Sequence, residues 1–268
     1  MALQKEIWLN DIVEPLFAGN TFAGRAINHS AFVNGRTVHV PNAGNPPAVV
    51  KNRATFPATA AQRTDTDLTY QINEYTTDPV HITNAEEVEL SYDKRQSVLG
   101  TLCLALADKV HTDLLDAWIA GAKAANDLTA NTAGFDKDDV LKLAQAFNAD
   151  DIPQEGRVLL LGAAGYASLL KSLTDFEGQS FLASANAQTG SLGRIYGFEV
   201  YQRSVVSTGT PAYKGLAWHK DSVSRALGGV ELFTDDQNPL YYGDIFSALV
   251  RAGGAVVRSD KKGIVRIK

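Results

Sequence analysis

The chain has one cysteine, Cys103, in 268 residues. That excludes an intrachain disulfide and a zinc cluster built on thiolates. Cys103 falls on an apolar stripe and reads as a packed core thiol. No apolar run approaches the roughly 18 residues of a membrane-spanning helix. The first residues, Met1 to Gly19, lack a basic region followed by an apolar run, the mark of a secretory leader. The expectation is a soluble protein, cytosolic in the cell that makes it, with no membrane partner. Positive charge is not in excess: 25 Lys and Arg stand against 30 Asp and Glu, a formal net charge of −5. No overall basic field points to nucleic acid, although an inner surface can still be locally basic. The length allows a sizeable core, as one large domain or two lobes.

Catalytic constellations are scarce as well. His29, His39, His81, His111 and His219 are scattered, with no spacing that sets two ligands on one helix face. His111, mid-helix among charges, reads as solvated. The acidic pairs Glu86-Glu87, Asp138-Asp139, Asp150-Asp151 and Asp235-Asp236 fall at helix starts or in loops, where capping or solvation explains them. The turn Gly162-Ala163-Ala164-Gly165, between a strand and a helix, lacks the middle glycine of a dinucleotide loop and the Lys-Ser/Thr of a P-loop. It reads as a plain βα turn, and a nucleotide-dependent enzyme using it is the alternative from a different class. Ser191, in Gly190-Ser191-Leu192-Gly193, misses a nucleophile elbow by one residue. No catalytic, cofactor-binding or metal-ligating residue is assigned, and no cofactor is expected.

What is present is a long helix. Over residues 84–125, Leu99, Leu102, Cys103, Leu106, Val110, Leu114 and Trp118 recur at steps of three and four. Asp93, Lys94, Asp108, Lys109, Asp113 and Asp116 fall mostly off that stripe. Asn84 with Glu87, or Ser91, supplies the N-cap. Gly100 and Gly121 weaken the helix locally. Even from the later start it runs about thirty residues, roughly 45 Å.

Before it, residues 2–18 form a short amphipathic pattern broken by Pro15, either a terminal helix on the core or an arm that packs on another subunit. Asn34-Gly35 suits a tight turn, and Thr37 and His39 then alternate with Val38 and Val40. Another alternating strand covers residues 68–75. About thirty residues between the two, with few groups for a core, exceed a normal hairpin loop. Such a segment is disordered or finds its partners on another molecule. After the long helix, Asp136 to Asp139 open a second helix through Phe147, Arg157 to Leu161 form a buried strand, and a helix covers residues 166–173. A loop is expected to Gln188. Strand patterns follow at residues 193–201, 215–219, 230–233, 245–250, 255–257 and 264–267. Helices and strands in blocks make the class α+β.

This ordered set resembles the major capsid proteins of tailed double-stranded DNA bacteriophages over most of the chain. The resemblance is carried by the amphipathic arm ending near Phe17, the long loop between Val38 and Tyr70, and the helix from Ser91 to Ala124. Ile152-Pro153-Gln154-Glu155-Gly156-Arg157-Val158-Leu159-Leu160 is similar to the family's step into its apical domain, and Gly193-Arg194-Ile195-Tyr196-Gly197-Phe198-Glu199-Val200 to its G-x-I-x-G-F-x-V pattern. Ala217 to Val223, Ala252 to Val257 and Gly263-Ile264-Val265 also fit.

The resemblance implies the tailed-phage capsid fold in four parts: an N-terminal arm at 1–30, an extended β-hairpin loop at 31–80, a peripheral domain at 81–144 and 229–268 around the spine helix, and an axial domain at 145–228. It implies a structural protein, not an enzyme, that self-assembles through pentamers and hexamers into an icosahedral virion shell enclosing double-stranded DNA, built in the bacterial host cytoplasm. Further implied partners are a scaffolding protein, separate because the arm starts almost at Met1, a portal and a decoration protein. Some members join loop to neighbour by a Lys–Asn bond. Lys51 is the lone lysine of this loop, and no local pattern marks an acceptor. The same fold builds encapsulin nanocompartments, which enclose cargo enzymes, and this is the nearest alternative.

Overall fold

The computed structural model describes residues 21–42, 49–54, 56, 66–83, 94–131, 134–209 and 213–268. A 3-10 turn (Phe22–Arg25) precedes β1 (Ile27–Asn28), and a second (Ser30–Phe32) precedes β2 (Val33–Asn34), β3 (Thr37–Asn42), β4 (Thr66–Gln71), β5 (Asn73–Thr76) and β6 (Val80–Thr83). The spine helix α1 (Lys94–Gly121) leads through a 3-10 turn (Ala124–Asn126) to β7 (Asp127–Leu128) and α2 (Lys137–Ala149). Then come β8 (Arg157–Gly162), α3 (Ala163–Ser172), α4 (Asp175–Ala183), β9 (Gly193–Ile195), β10 (Phe198–Arg203) and β11 (Gly215–His219). The chain closes with β12 (Val223–Asn238), β13 (Gly243–Val256) and β14 (Ile264–Ile267). The fold is α+β.

Three sheets organise these elements. One has six strands in the order β7-β14-β11-β8-β10-β9; a second has β1-β12-β13-β5 with β6 also on β13; a third is β2-β3-β4. β8 and β10 are parallel, joined through α3 and α4, and β11 runs antiparallel to β8. β8 reads as an unbroken apolar run because both its faces are covered. Val158 and Leu160 face α1, while Leu159 and Leu161 face α2, α3 and α4.

α1 spans roughly 42 Å at 1.5 Å per residue and divides its apolar stripe between two sheets. Cys103, Leu106 and Val110 pack on Leu232, Phe246, Ala248 and Val250 of the β12–β13 hairpin. Leu114, Leu115, Trp118 and Ile119 pack on Val158, Leu160, Trp218 and Ile264 of the six-stranded sheet. The expected stripe therefore forms from Cys103 to Trp118, with Leu102 only half-buried, while the side chain of Leu99 lies outside the described residues. The alternative caps Asn84 and Ser91 lie outside the described residues, as does the expected amphipathic pattern at 2–18.

Several sequence expectations need correction. α1 ends at Gly121, short of Ala124. Lys123 is already extended, and the terminal carbonyl of Ile119 accepts from the guanidinium of Arg266 at 3.1 Å. The helix expected at 166–173 starts at Ala163, so three of the four residues in the Gly162 turn form its first turn. The loop expected up to Gln188 contains α4, started by a capping box in which the Thr174 and Glu177 side chains each accept the other's backbone N–H. The strand expected at 230–233 begins at Val223, because Gly228 and Gly229 form a bulge and do not end it. The strands expected at 245–250 and 255–257 are one strand, β13. Gly253 and Gly254 continue it where it passes close to Ile72 and to α1.

The two strands on either side of the long loop pair with each other, Val38 opposite Tyr70. Val38 is buried in a small core with Ile72 and Ala226. Asn34-Gly35 makes the expected turn between β2 and β3, with Gly35 left-handed at φ 63°. The segment is thus a long β-hairpin, and its described outer residues, 49–54 and 56, are all exposed.

Candidate functional site

The local chemistry at each candidate position is structural. Gly162 is the N-cap of α3 with φ −67°, and its N–H donates to the Lys214 carbonyl at 2.9 Å. A Cβ on Gly165 would meet only ordinary contacts, Leu161 at 3.8 Å and Phe135 at 3.9 Å. Neither glycine is in the left-handed region. Ser191 is buried and its hydroxyl donates to the Gly193 carbonyl at 3.0 Å.

The histidines stay apart. His29 shares a hydrogen bond with the Tyr70 hydroxyl at 3.3 Å, and the His219 ring with the Glu155 carbonyl at 2.8 Å. The His81 ring lies 5.7 Å from that of Tyr241. His111 is not solvated as expected. It is buried, because residues 21–26 fold over α1 and set Phe22 edge-on to it at 5.3 Å. Of the acidic pairs, Asp139 is fully buried and closes the capping box at Asp136, Asp150 pairs with Lys262 at 3.1 Å, and Asp235 and Asp236 are exposed. Glu86 and Glu87 lie outside the described residues. Among the described residues no group of three His, Cys, Asp or Glu side chains is placed to hold a metal ion.

A cleft of about 360 Å³ lies where residues 21–22, α1 and β10 meet, lined by Phe22, His111, Leu192, Tyr201 and Arg203. Arg203 is committed there to joining the sheet to the spine. Its guanidinium donates to the Asp108 carboxylate at 2.6 Å, the Asp108 carbonyl at 2.9 Å and the Thr112 hydroxyl at 2.9 Å. Burial pushes the Tyr201 hydroxyl up, and burial with the nearby Asp113 carboxylate pushes Tyr75 up to about 12. Both phenols stay protonated at neutral pH and serve as hydrogen-bonding groups.

The outward surfaces are distinctive instead. Large apolar side chains stand in solvent at separate projections: Val49 and Phe56 on the β3–β4 hairpin, Phe176 and Leu182 on α4, and Leu240, Tyr241 and Tyr242 at the tip of the β12–β13 hairpin. Val49 is 95% exposed, Phe176 and Leu240 each 82%, far beyond what a self-contained core leaves outside. Sequence reading located the first projection through its poverty of core residues. It missed α4, although Thr174-x-x-Glu177 is a readable capping box, and it missed the apolar tip, which looks like any strand connection until the hairpin is seen to project.

No family model matches the chain, and no curated protein matches it in sequence. Its fold, by contrast, matches solved structures over nearly its whole length. Against the capsid of the cyanophage P-SCSP1u the TM-score is 0.67 at 14% identity, over 92% of this chain and 87% of that one. Against the capsid of a native GTA particle it is 0.68 at 14% identity, over 94% and 90%. Against a virus-like particle from Pyrococcus furiosus it is 0.65 at 11% identity, over 99% of each. The chain has the fold of tailed-phage capsid proteins.

Proposed function

We propose that this chain is a structural capsid subunit, whose copies associate into pentamers and hexamers and close into an icosahedral phage head around double-stranded DNA. The observation that carries the reading is the capsid fold over at least nine-tenths of the chain. The projecting apolar groups agree with it: side chains that find no core within the subunit are supported when neighbouring copies cover them. Each contact at roughly 25 cal/mol per Å² of apolar area is modest, and repetition around a shell makes the sum large. The role is structural, not catalytic, with assembly in the host cytoplasm and the protein then resident in the virion. Scaffolding, portal and decoration proteins are the further partners of this reading.

The proposed parts are the arm at 1–30, the hairpin loop at 31–80, the peripheral domain at 81–144 and 229–268, and the axial domain at 145–228. The sheets suggest one amendment. β7, α2 and β14 build or cover the six-stranded sheet and belong with the axial part. A second reading is a nanocompartment shell of the encapsulin kind, which the likeness to the virus-like particle supports no better than the capsid reading.

Light scattering with negative-stain microscopy on the purified protein, alone and with lysate of its source, is the test. Rings of five or six, tubes or closed shells are expected, and DNA or cargo enzyme inside distinguishes the two readings. A monodisperse monomer or dimer under all these conditions would overturn both.

A further inference from the structure

Charge of opposite sign gathers at the two ends of β13. Residues 228–250, the outer part of the β12–β13 hairpin, contain Glu231, Asp235, Asp236 and Asp244 and no Lys or Arg. Asp78 lies beside the same hairpin, where Val80 pairs with Phe246. Asp78, Glu231, Asp235 and Asp236 are exposed, and no described cation pairs with them. At the same tip stand Leu240, Tyr241 and Tyr242, the last in the left-handed region at φ 52°.

The opposite end is basic. Residues 258–268 hold Arg258, Lys261, Lys262, Arg266 and Lys268 against Asp260 alone. The Asn126 amide donates to the carbonyls of Lys261 and Ile264, and its N–H to that of Lys123, which brings Lys123 to the same surface. Asp127, Asp150 and Asp260 neutralise part of this charge through Arg266, Lys268, Lys262 and Arg258. Lys123 and Lys261 are exposed with no carboxylate partner among the described residues. β13 runs between the ends, from Gly243 at the tip to Val256. At about 3.3 Å per residue the two charge clusters lie roughly 40 Å apart.

We infer that the acidic, aromatic tip of the β12–β13 hairpin docks on the Lys123–Lys261 surface of a second copy of this chain. The inference rests on the shell-forming reading and names the surfaces that would carry one of its contacts. Opposite charge at opposite ends of one molecule favours a head-to-tail contact, which closes into rings or runs on as a filament. Leu240, Tyr241 and Tyr242 supply the area that a contact needs at its centre, and the charges around them set partner and register. A basic surface on an acidic protein also suits the phosphates of nucleic acid. The aromatic and acidic tip, which has no role toward a polyanion, favours the second copy.

The test compares four full-length proteins by the concentration at which light scattering reports assembly, with microscopy for particle form and circular dichroism for the fold. They are the wild type, Asp235→Lys with Asp236→Lys, Lys123→Glu with Lys261→Glu, and all four reversals in one chain. Each pair of reversals is expected to raise the assembly concentration at least tenfold, and the fourfold variant to restore it to within about threefold. Raising salt from about 0.05 to 0.5 M, where the Debye length contracts to a few Å, is expected to weaken wild-type assembly in the same direction. Folded single-end variants that assemble like the wild type, or a folded fourfold variant that is not restored, would overturn the docking while leaving the capsid reading in place. So would a lysine variant whose shells form normally but lose nucleic acid, which would assign that surface to the genome. A wild type that never assembles overturns both.

Discussion

Arg157 shows how much one side chain can hold. It is 1% exposed, and its guanidinium donates to Pro153 O at 2.9 Å, to the Asn148 side chain at 2.8 Å and to Ile152 O, between the rings of Phe147 and Phe198. These bonds fix the turn between α2 and β8. Arg157→Ala would leave a cavity and buried acceptors without donors, so a loss of about 3–4 kcal/mol is expected in urea unfolding. Arg157→Lys is expected to recover little, because an ammonium cannot reproduce the planar fork. Asp127 makes a pH-dependent contribution. Burial alone would raise its carboxyl, but hydrogen bonds from Lys268 and Arg266 outweigh it and hold the group below its ordinary value. A carboxyl depressed in the folded state stabilises fully above its unfolded pKa of about 3.9, and the contribution fades as pH falls through the folded value. Thermal melts should therefore show wild type losing stability below about pH 4, with Asp127→Asn less stable at neutral pH by roughly 2 kcal/mol and flatter across the acid range.

At the scale of elements, the contact between α1 and β13 depends on glycine at one point and tolerates it at another. A Cβ on Gly254 would overlap Leu114 Cδ1 and the Ser224 carbonyl, and come within 3.1 Å of Trp118 Nε1, which donates to that same carbonyl. Gly254→Ala is expected to cost about 1–3 kcal/mol through forced separation of helix and strand. Gly100, on the exposed side of α1, has nothing within 4 Å of an added Cβ. Gly100→Ala should gain about 0.5–1 kcal/mol from helix propensity. Opposite signs in urea titrations of the two variants would confirm that close approach, not flexibility, fixes Gly254.

For the whole molecule, the long hairpin is separable from the core. β3 and β4 already pair from Thr37–Gln71 out to Asn42–Thr66, and every described residue between 43 and 65 is exposed. Replacing residues 43–65 with a short turn is expected to leave the monomer's melting temperature within a few degrees while abolishing stable shells. Loss of the monomer fold would show instead that the segment stabilises its own subunit. The internal body has no such independence. α1 contributes both to a core of the six-stranded sheet and to the core under the β12–β13 hairpin, so the two sheets should unfold in one transition, and coincident fluorescence and circular dichroism melts would show it.

Period and punctuation were enough to determine the spine helix stripe, the buried run of β8, the Asn34-Gly35 turn, the acidic start of the second helix and the α+β class. Each is fixed within a few residues of its own position. The resemblance to tailed-phage capsid proteins was also readable, because its motifs keep their order along the chain. Only the tertiary structure decided the features that depend on distant partners. Phe22 buries His111, Arg266 from the last strand meets the end of α1, and the glycines at 228 and 253 lie against Ile72 and that at 254 against the spine. It alone showed which apolar side chains stand outside the core. An apolar residue in a sequence carries no mark of whether its neighbours come from its own subunit, and Leu240 and Tyr242 differ from buried residues only in where the hairpin places them.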